Sequence, residues 1–94
     1  MRSAMRPIHF ERAALPDPIS YFSREGLRFA GRGSWRSACC PFHDDARPSL
    51  RVNVDTGAFR CMACGAKGGD VLAFHRQRHG LSFVQAARDL RAMA

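Results

Sequence analysis

From Leu50 to Val54 the chain alternates strictly, with apolar Leu50, Val52 and Val54 separated by Arg51 and Asn53. A period of two sends the apolar side chains to one face of a strand and the polar ones to the other. Asp55-Thr56-Gly57 supplies turn chemistry, with glycine where a positive φ is needed, and Ala58-Phe59-Arg60 runs back. The pattern predicts a β-hairpin. With Thr56-Gly57 as its loop, Phe59 falls opposite Val54 and Arg60 opposite Asn53. A three-residue loop would shift the pairing by one and exchange the faces.

Helical spacing flanks the hairpin. Asp17 is placed to cap a short helix through Glu25, with Pro18 at its first position, Ile19 and Phe22 inward and Gly26 at its stop. Leu27 and Phe29 suit a short strand, the glycine-rich segment 30–34 a turn, and Trp35 to Cys39 an extended run. Beyond the hairpin, residues 65–69 form a tight link. Asp70 then caps a helix over Val71 to His79, with Val71, Leu72, Phe74 and His75 on its apolar side and Gly80 closing it. Ser82-Phe83-Val84-Gln85 is a capping box opening a last helix, whose core positions are Phe83, Ala86, Ala87 and Leu90. Residues 1–16 show no sustained period and contain Pro7 and Pro16. They are expected to form a flexible tail ahead of a domain over 17–94, the alternative being that Ile8, Phe10 and Leu15 dock on it.

Candidate chemistry lies at the ends of the hairpin. Cys40-Pro41-Phe42-His43 and Cys61-Met62-Ala63-Cys64 stand seventeen residues apart. A gap of two residues lets one backbone turn aim both donors at the same ion, so each pair reads as a zinc knuckle. Together they supply one imidazole and three thiolates, a filled tetrahedral set without an open position for water or substrate. The expected cofactor is one structural Zn2+, with Cys40, His43, Cys61 and Cys64 as ligands and no catalytic residue. For a chain of 94 residues such an ion matters, because structural zinc in small fingers contributes about 10–16 kcal/mol of apparent binding free energy.

Cys39 competes with Cys40 for the first position. Cys40 keeps the two-residue gap, and Cys39 is read as buried and unliganded. A rival scheme joins Cys61 and Cys64 to His75 and His79, one helical turn apart, as in a two-cysteine, two-histidine finger; its middle gap is two residues short and it leaves Cys40 and His43 without purpose. In the favoured scheme His75 packs and His79 ends the helix in solvent.

Charge bears on partners. Fifteen Lys and Arg against eight Asp and Glu give a formal charge of +7 and a pI near 10.6, which suits a polyanion. The first residues carry Arg2, Arg6, Glu11 and Arg12 and lack an apolar signal region, and no apolar run is long enough to cross a membrane. A cytoplasmic, reducing setting is expected, where paired cysteines ligate metal rather than crosslink. Single-strand binders combine cations that track phosphate with aromatic faces for stacking. The candidates are Trp35, Arg36, Arg51, Arg60 and Lys67, with Arg28, Arg32 and Phe59 nearby in the pattern. Phe59 reads first as a core residue.

The stretch from Cys40 to Leu50, read as C-P-F-H-D-D-A-R-P-S-L, resembles the C-P-F-H-x-E-x-x-P-S-F stretch of the zinc-binding domain of bacterial DnaG-type DNA primases. Cys61 to Gly65, then Gly69-Asp70, Phe74, Phe83 and Ala86, is similar to the same family's second knuckle and helices, and Gly33-Ser34-Trp35 falls near its glycine and aromatic residue. Asp45 stands where the family usually has Glu, Ala46 and Arg47 where it tends to have Lys and Thr, and Met62-Ala63 where it has Phe-Gly. The resemblance implies a small α+β zinc ribbon, a short antiparallel β-sheet with flanking helices, that binds single-stranded template DNA in primer initiation. It also implies that polymerisation belongs to a separate acidic domain, so a primase catalytic domain or a helicase is an expected partner; Asp44-Asp45 is a poor substitute for such a centre. The competing class is a zinc-ribbon adaptor that docks on protein without touching DNA.

Overall fold

A computed structural model of the chain describes residues 10–43 and 47–92. Four strands, β1 (Trp35–Ala38), β2 (Leu50–Asn53), β3 (Phe59–Cys61) and β4 (Lys67–Gly68), form an antiparallel meander in chain order. Three helices, α1 (Pro18–Arg24), α2 (Val71–His79) and α3 (Phe83–Asp89), accompany it. The α+β sheet-and-helix architecture expected from the sequence is present. The strand expected around Leu27 and Phe29 is reduced to a single bridge between Ala30 and Ser37, and β4 forms within the segment read as a link.

The helix boundaries follow from their caps. Asp17 accepts from the Ser20 N–H (3.1 Å), Asp70 from the Ala73 N–H (2.9 Å), and Ser82 and Gln85 make the reciprocal capping box. Gly80 ends α2 in the left-handed region with φ 66°. The inward face of α1 differs from expectation: Tyr21 and Phe22 are buried, whereas Ile19 is exposed. The Tyr21 hydroxyl finds a buried partner in His75 Nδ1 (2.7 Å), which fixes the helix rotation and turns Ile19 outward. Phe83 likewise stays exposed at the first turn of α3 and meets the Phe10 ring edge-on (5.1 Å).

The hairpin register is shifted by two residues from the one expected. Phe59 pairs with Val52 and Arg60 with Arg51. The ladder closes at Asn53, whose N–H donates to the Ala58 carbonyl (2.7 Å); its side-chain oxygen accepts from the N–H groups of Asp55 and Thr56 (2.9 and 3.0 Å), and Val54 donates to the Ser34 carbonyl (2.7 Å). The loop is therefore longer. An even shift preserves the faces, so Val52 and Phe59 still point to the core and Arg51 and Arg60 away from it.

The core lies between that inner sheet face and α1 and α2. Phe74 sits at its centre, fully buried, with ring centroids of Phe22, Phe42 and Phe59 at 4.9, 5.1 and 5.1 Å. The sheet approaches α2 so closely that a Cβ on Gly68 would lie 2.6 Å from Ala73 Cβ, and one on Gly57, at φ 85°, 2.9 Å from the Val71 nitrogen. Within the segment expected as a tail, Glu11 donates to the Ala92 carbonyl (2.7 Å), and Phe10 and Leu15 pack against the core clusters. Residues 1–9, including Ile8 and His9, lie outside the described residues, as do Asp44, Asp45 and Ala46. Among the described residues no helix is long and apolar enough to cross a membrane.

Candidate functional site

The second knuckle grows directly out of β3. Cys61 closes the strand, the chain turns through Met62 and Ala63, and Gly65, at φ 80°, donates back to the Cys61 carbonyl (3.1 Å). This turn aims the N–H groups of Ala63 and Cys64 at Cys61 Sγ (3.4 Å each), and Ser49 Oγ adds a contact at 3.6 Å. The first knuckle follows β1, where strand alternation buries Ala38 and Cys40 and turns Cys39 out. Cys39 thus lies outside the four-donor cluster and is exposed, not buried as expected, because it lies on the opposite side of the chain from its two neighbours.

The four donors of Cys40, His43, Cys61 and Cys64 all lie within 4.8 Å of one another. Cys40 Sγ is 3.8 Å from Cys64 Sγ, and Cys61 Sγ is 3.5 Å from His43 Nε2. A zinc tetrahedron has edges of about 3.8 Å between thiolates and about 3.6 Å between thiolate and imidazole, given bonds near 2.3 and 2.0–2.1 Å. The donor set fits the ion in both chemistry and spacing. His75 and His79 form a separate group with Glu25, so the rival scheme that drew them to Cys61 and Cys64 is not the arrangement found.

The thiols are electrostatically unequal before any metal enters. Burial opposes ionisation of Cys61, but hydrogen bonds from the Cys64 N–H, His43, Ser49 and the Ala63 N–H outweigh it and bring that thiol down to about 5. Burial pushes the Cys40 thiol up to about 12; the Phe42 N–H favours its thiolate, while Cys61 and Cys64 oppose it. One thiolate is ready and its neighbour resists. A dication reverses that resistance by neutralising adjacent thiolates.

The open face of the sheet carries the cations. Ser37, Arg51, Arg60 and Lys67 pair in one cross-strand row, and the exposed Trp35 lies on the same face opposite Asn53. Arg51 donates to Ser37 Oγ (2.7 Å). Among the described residues Arg51, Arg60 and Lys67 make no ion pair. Arg36 is not part of this row. It pairs with Val52 on the inner face, at the sheet edge, and its Nε donates to the Gly33 carbonyl (3.1 Å). Phe59 is buried, in keeping with its core reading. The sequence reading missed Ser49 as a support of Cys61; the backbone register alone brings it there, through Met62 N–H to the Ser49 carbonyl (2.9 Å).

A family profile for the DnaG zinc ribbon, described as the CHC2 zinc finger, matches residues 21–94. The chain belongs to the CHC2 zinc-finger family. Its cofactor is a single structural Zn2+, and the Cys40, His43, Cys61, Cys64 cluster matches the family's Cys-His-Cys-Cys set. The chain is 47% identical over 60 residues to a DNA primase of Mycolicibacterium smegmatis, covering 64% of this chain and 9% of that protein. It is 43% identical over 54 residues to the gene 58 protein of Mycobacterium phage D29, covering 57% of this chain and 41% of that one. The crystal structure of the Aquifex aeolicus primase (zinc-binding and RNA polymerase domains) superposes with a TM-score of 0.67 and 33% identity over 82% of this chain and 19% of that one. This CHC2 chain thus spans less than half of the phage protein and about a tenth of the bacterial primase.

Proposed function

We propose that this CHC2 zinc finger is a non-catalytic, zinc-stabilised module that binds single-stranded DNA during replication priming. In this reading Cys40, His43, Cys61 and Cys64 hold the ion and leave no open coordination position for chemistry. The observation that carries the binding surface is the row of Arg51, Arg60 and Lys67 across neighbouring strands beside exposed Trp35. Like charges directly opposite each other destabilise a sheet. A phosphate chain laid along the row offsets that repulsion, while Trp35 offers a face on which a base stacks. Arg36, held at the edge by Gly33, contributes positive potential rather than a contact on this face. Kinship with primases supports a role beside a primase RNA polymerase domain, in trans or within one polypeptide.

Fluorescence anisotropy with single-stranded and duplex oligonucleotides over a salt series tests the reading. Trp35→Ala is expected to weaken the single-stranded complex by about 1–3 kcal/mol, roughly five- to 150-fold. Replacing Arg51 and Arg60 together by Gln is expected to reduce the slope of log K against log salt by about 1.4, since each phosphate contact on a single strand contributes about 0.7. An unchanged slope clears both of phosphate contact. Absence of oligonucleotide binding by the zinc-loaded chain would instead favour the protein-docking adaptor.

A further inference from the structure

Away from the zinc knuckles, three helix ends meet around a second set of metal-ligating side chains. Glu25 is the C-cap of α1, His79 is the last residue of α2 with His75 one turn before it, and Asp89 is the final residue of α3. The donor atoms of Glu25, His75 and His79 lie within 4.8 Å of one another, comparable with the knuckle cluster. His79 Nε2 is 2.9 Å from Glu25 Oε1, and the two imidazole centroids are 4.5 Å apart. A cleft of about 250 Å³ opens onto the group, lined by Tyr21, Arg24, Glu25, His75, Asp89 and Leu90.

We propose that Glu25, His75 and His79 form a second, exchangeable site for a borderline divalent transition cation of the Zn2+ type. Two histidines one turn apart present both rings on one helix face, the spacing by which a helix grips such an ion, and a carboxylate from a neighbouring element completes a His2Glu set. Imidazole with carboxylate suits Zn2+, Ni2+ or Cu2+ rather than Mg2+ or Ca2+. The C-terminal ends of the three helices each present partial negative charge, which favours a cation where they meet. Outer support is already built. His75 is held by Tyr21 at Nδ1 (2.7 Å) and Asp89 at Nε2 (2.5 Å), so whichever nitrogen turns to the ion, the other keeps a partner that fixes the ring. Burial, with Glu25 and Asp89 adding to it, keeps the Tyr21 phenol protonated and able to hydrogen-bond. Three protein ligands leave coordination positions to water, and Arg24 at the rim opposes the ion's charge. Both features make the site weaker than the four-donor knuckle.

The test uses the full chain with Cys39→Ser, to remove the exposed thiol, loaded with one equivalent of Zn2+ and titrated calorimetrically with further Zn2+. A second event of one equivalent is expected, weakened tenfold or more by His79→Ala and by Glu25→Gln while the first equivalent is retained. Binding that stops at one equivalent, or a second equivalent untouched by both substitutions, overturns the proposal. An independent reading comes from 15N-imidazole NMR of the unsubstituted histidines. On addition of the second equivalent the resonances of His75 and His79 are expected to shift while those of His43 stay fixed. If the rings of His75 and His79 do not respond, the group is a hydrogen-bonded network alone.

Discussion

Cys61→Ser is expected to abolish zinc binding and tertiary structure together. Cys61 is buried at the end of β3, receives two backbone N–H groups and Ser49, and those hydrogen bonds favour its thiolate. Serine in its place offers a harder, shorter donor and leaves the two N–H groups aimed at a poor partner. The apparent binding energy of a structural zinc, about 10–16 kcal/mol, is as large as the whole stability of a small domain, about 5–15 kcal/mol. Loss of the ion therefore removes the fold rather than loosening one loop. Metal analysis alongside near-ultraviolet circular dichroism checks this, and a chelator acting on the unsubstituted chain should reproduce the same spectrum. Cys39→Ser, at an exposed position outside the cluster, should keep both zinc and structure. A Cys61→Ser chain that remains ordered with one equivalent of zinc would sink the ligand assignment.

Phe74→Ala should cost about 3–5 kcal/mol, the range for deleting a large aromatic side chain from a close-packed core. Phe74 has no exposed surface and meets Phe22 of α1, Phe59 of β3 and Phe42 of the first knuckle. Phe42 lies between Cys40 and His43 in sequence, so a cavity at Phe74 also removes the wall against which that knuckle is braced. Urea unfolding of the zinc-loaded protein measures the first effect. The rate of zinc transfer to a coloured chelator measures the second, which should rise. Met62→Ala, on the exposed turn of the other knuckle, should stay within about 0.5 kcal/mol of the parent. Lower stability with an unchanged transfer rate would separate the knuckle from the core.

The parts of the fold that could be read without coordinates are those whose information is local. Asp17, Asp70 and Ser82 each cap the helix they were expected to cap, because a cap is a bond between a side chain and an N–H three residues on. The two knuckles were legible for the same reason. Their paired spacing is a property of one turn, and four donors of the right type leave few alternatives. Face assignment on β2 and β3 also survived, since it depends only on the period of two. Register did not, because the Asn53 side chain holds the N–H groups of Asp55 and Thr56 in a longer loop, a contact that the hydrophobic alternation does not record.

Sequence by itself determined the metal chemistry, the helix boundaries, the cationic character and the family resemblance, all carried by residues near one another along the chain. Tertiary structure decided what depends on distant partners. It set the rotation of α1 through Tyr21 and His75, and it separated Arg36 from the row of Arg51, Arg60 and Lys67. It also gathered Glu25, His75 and His79 from two helices into one group. Side-chain contacts over fifty residues apart are fixed only when the whole core closes, because they follow from how helices rotate and strands slide to fill space, and no local pattern contains that solution.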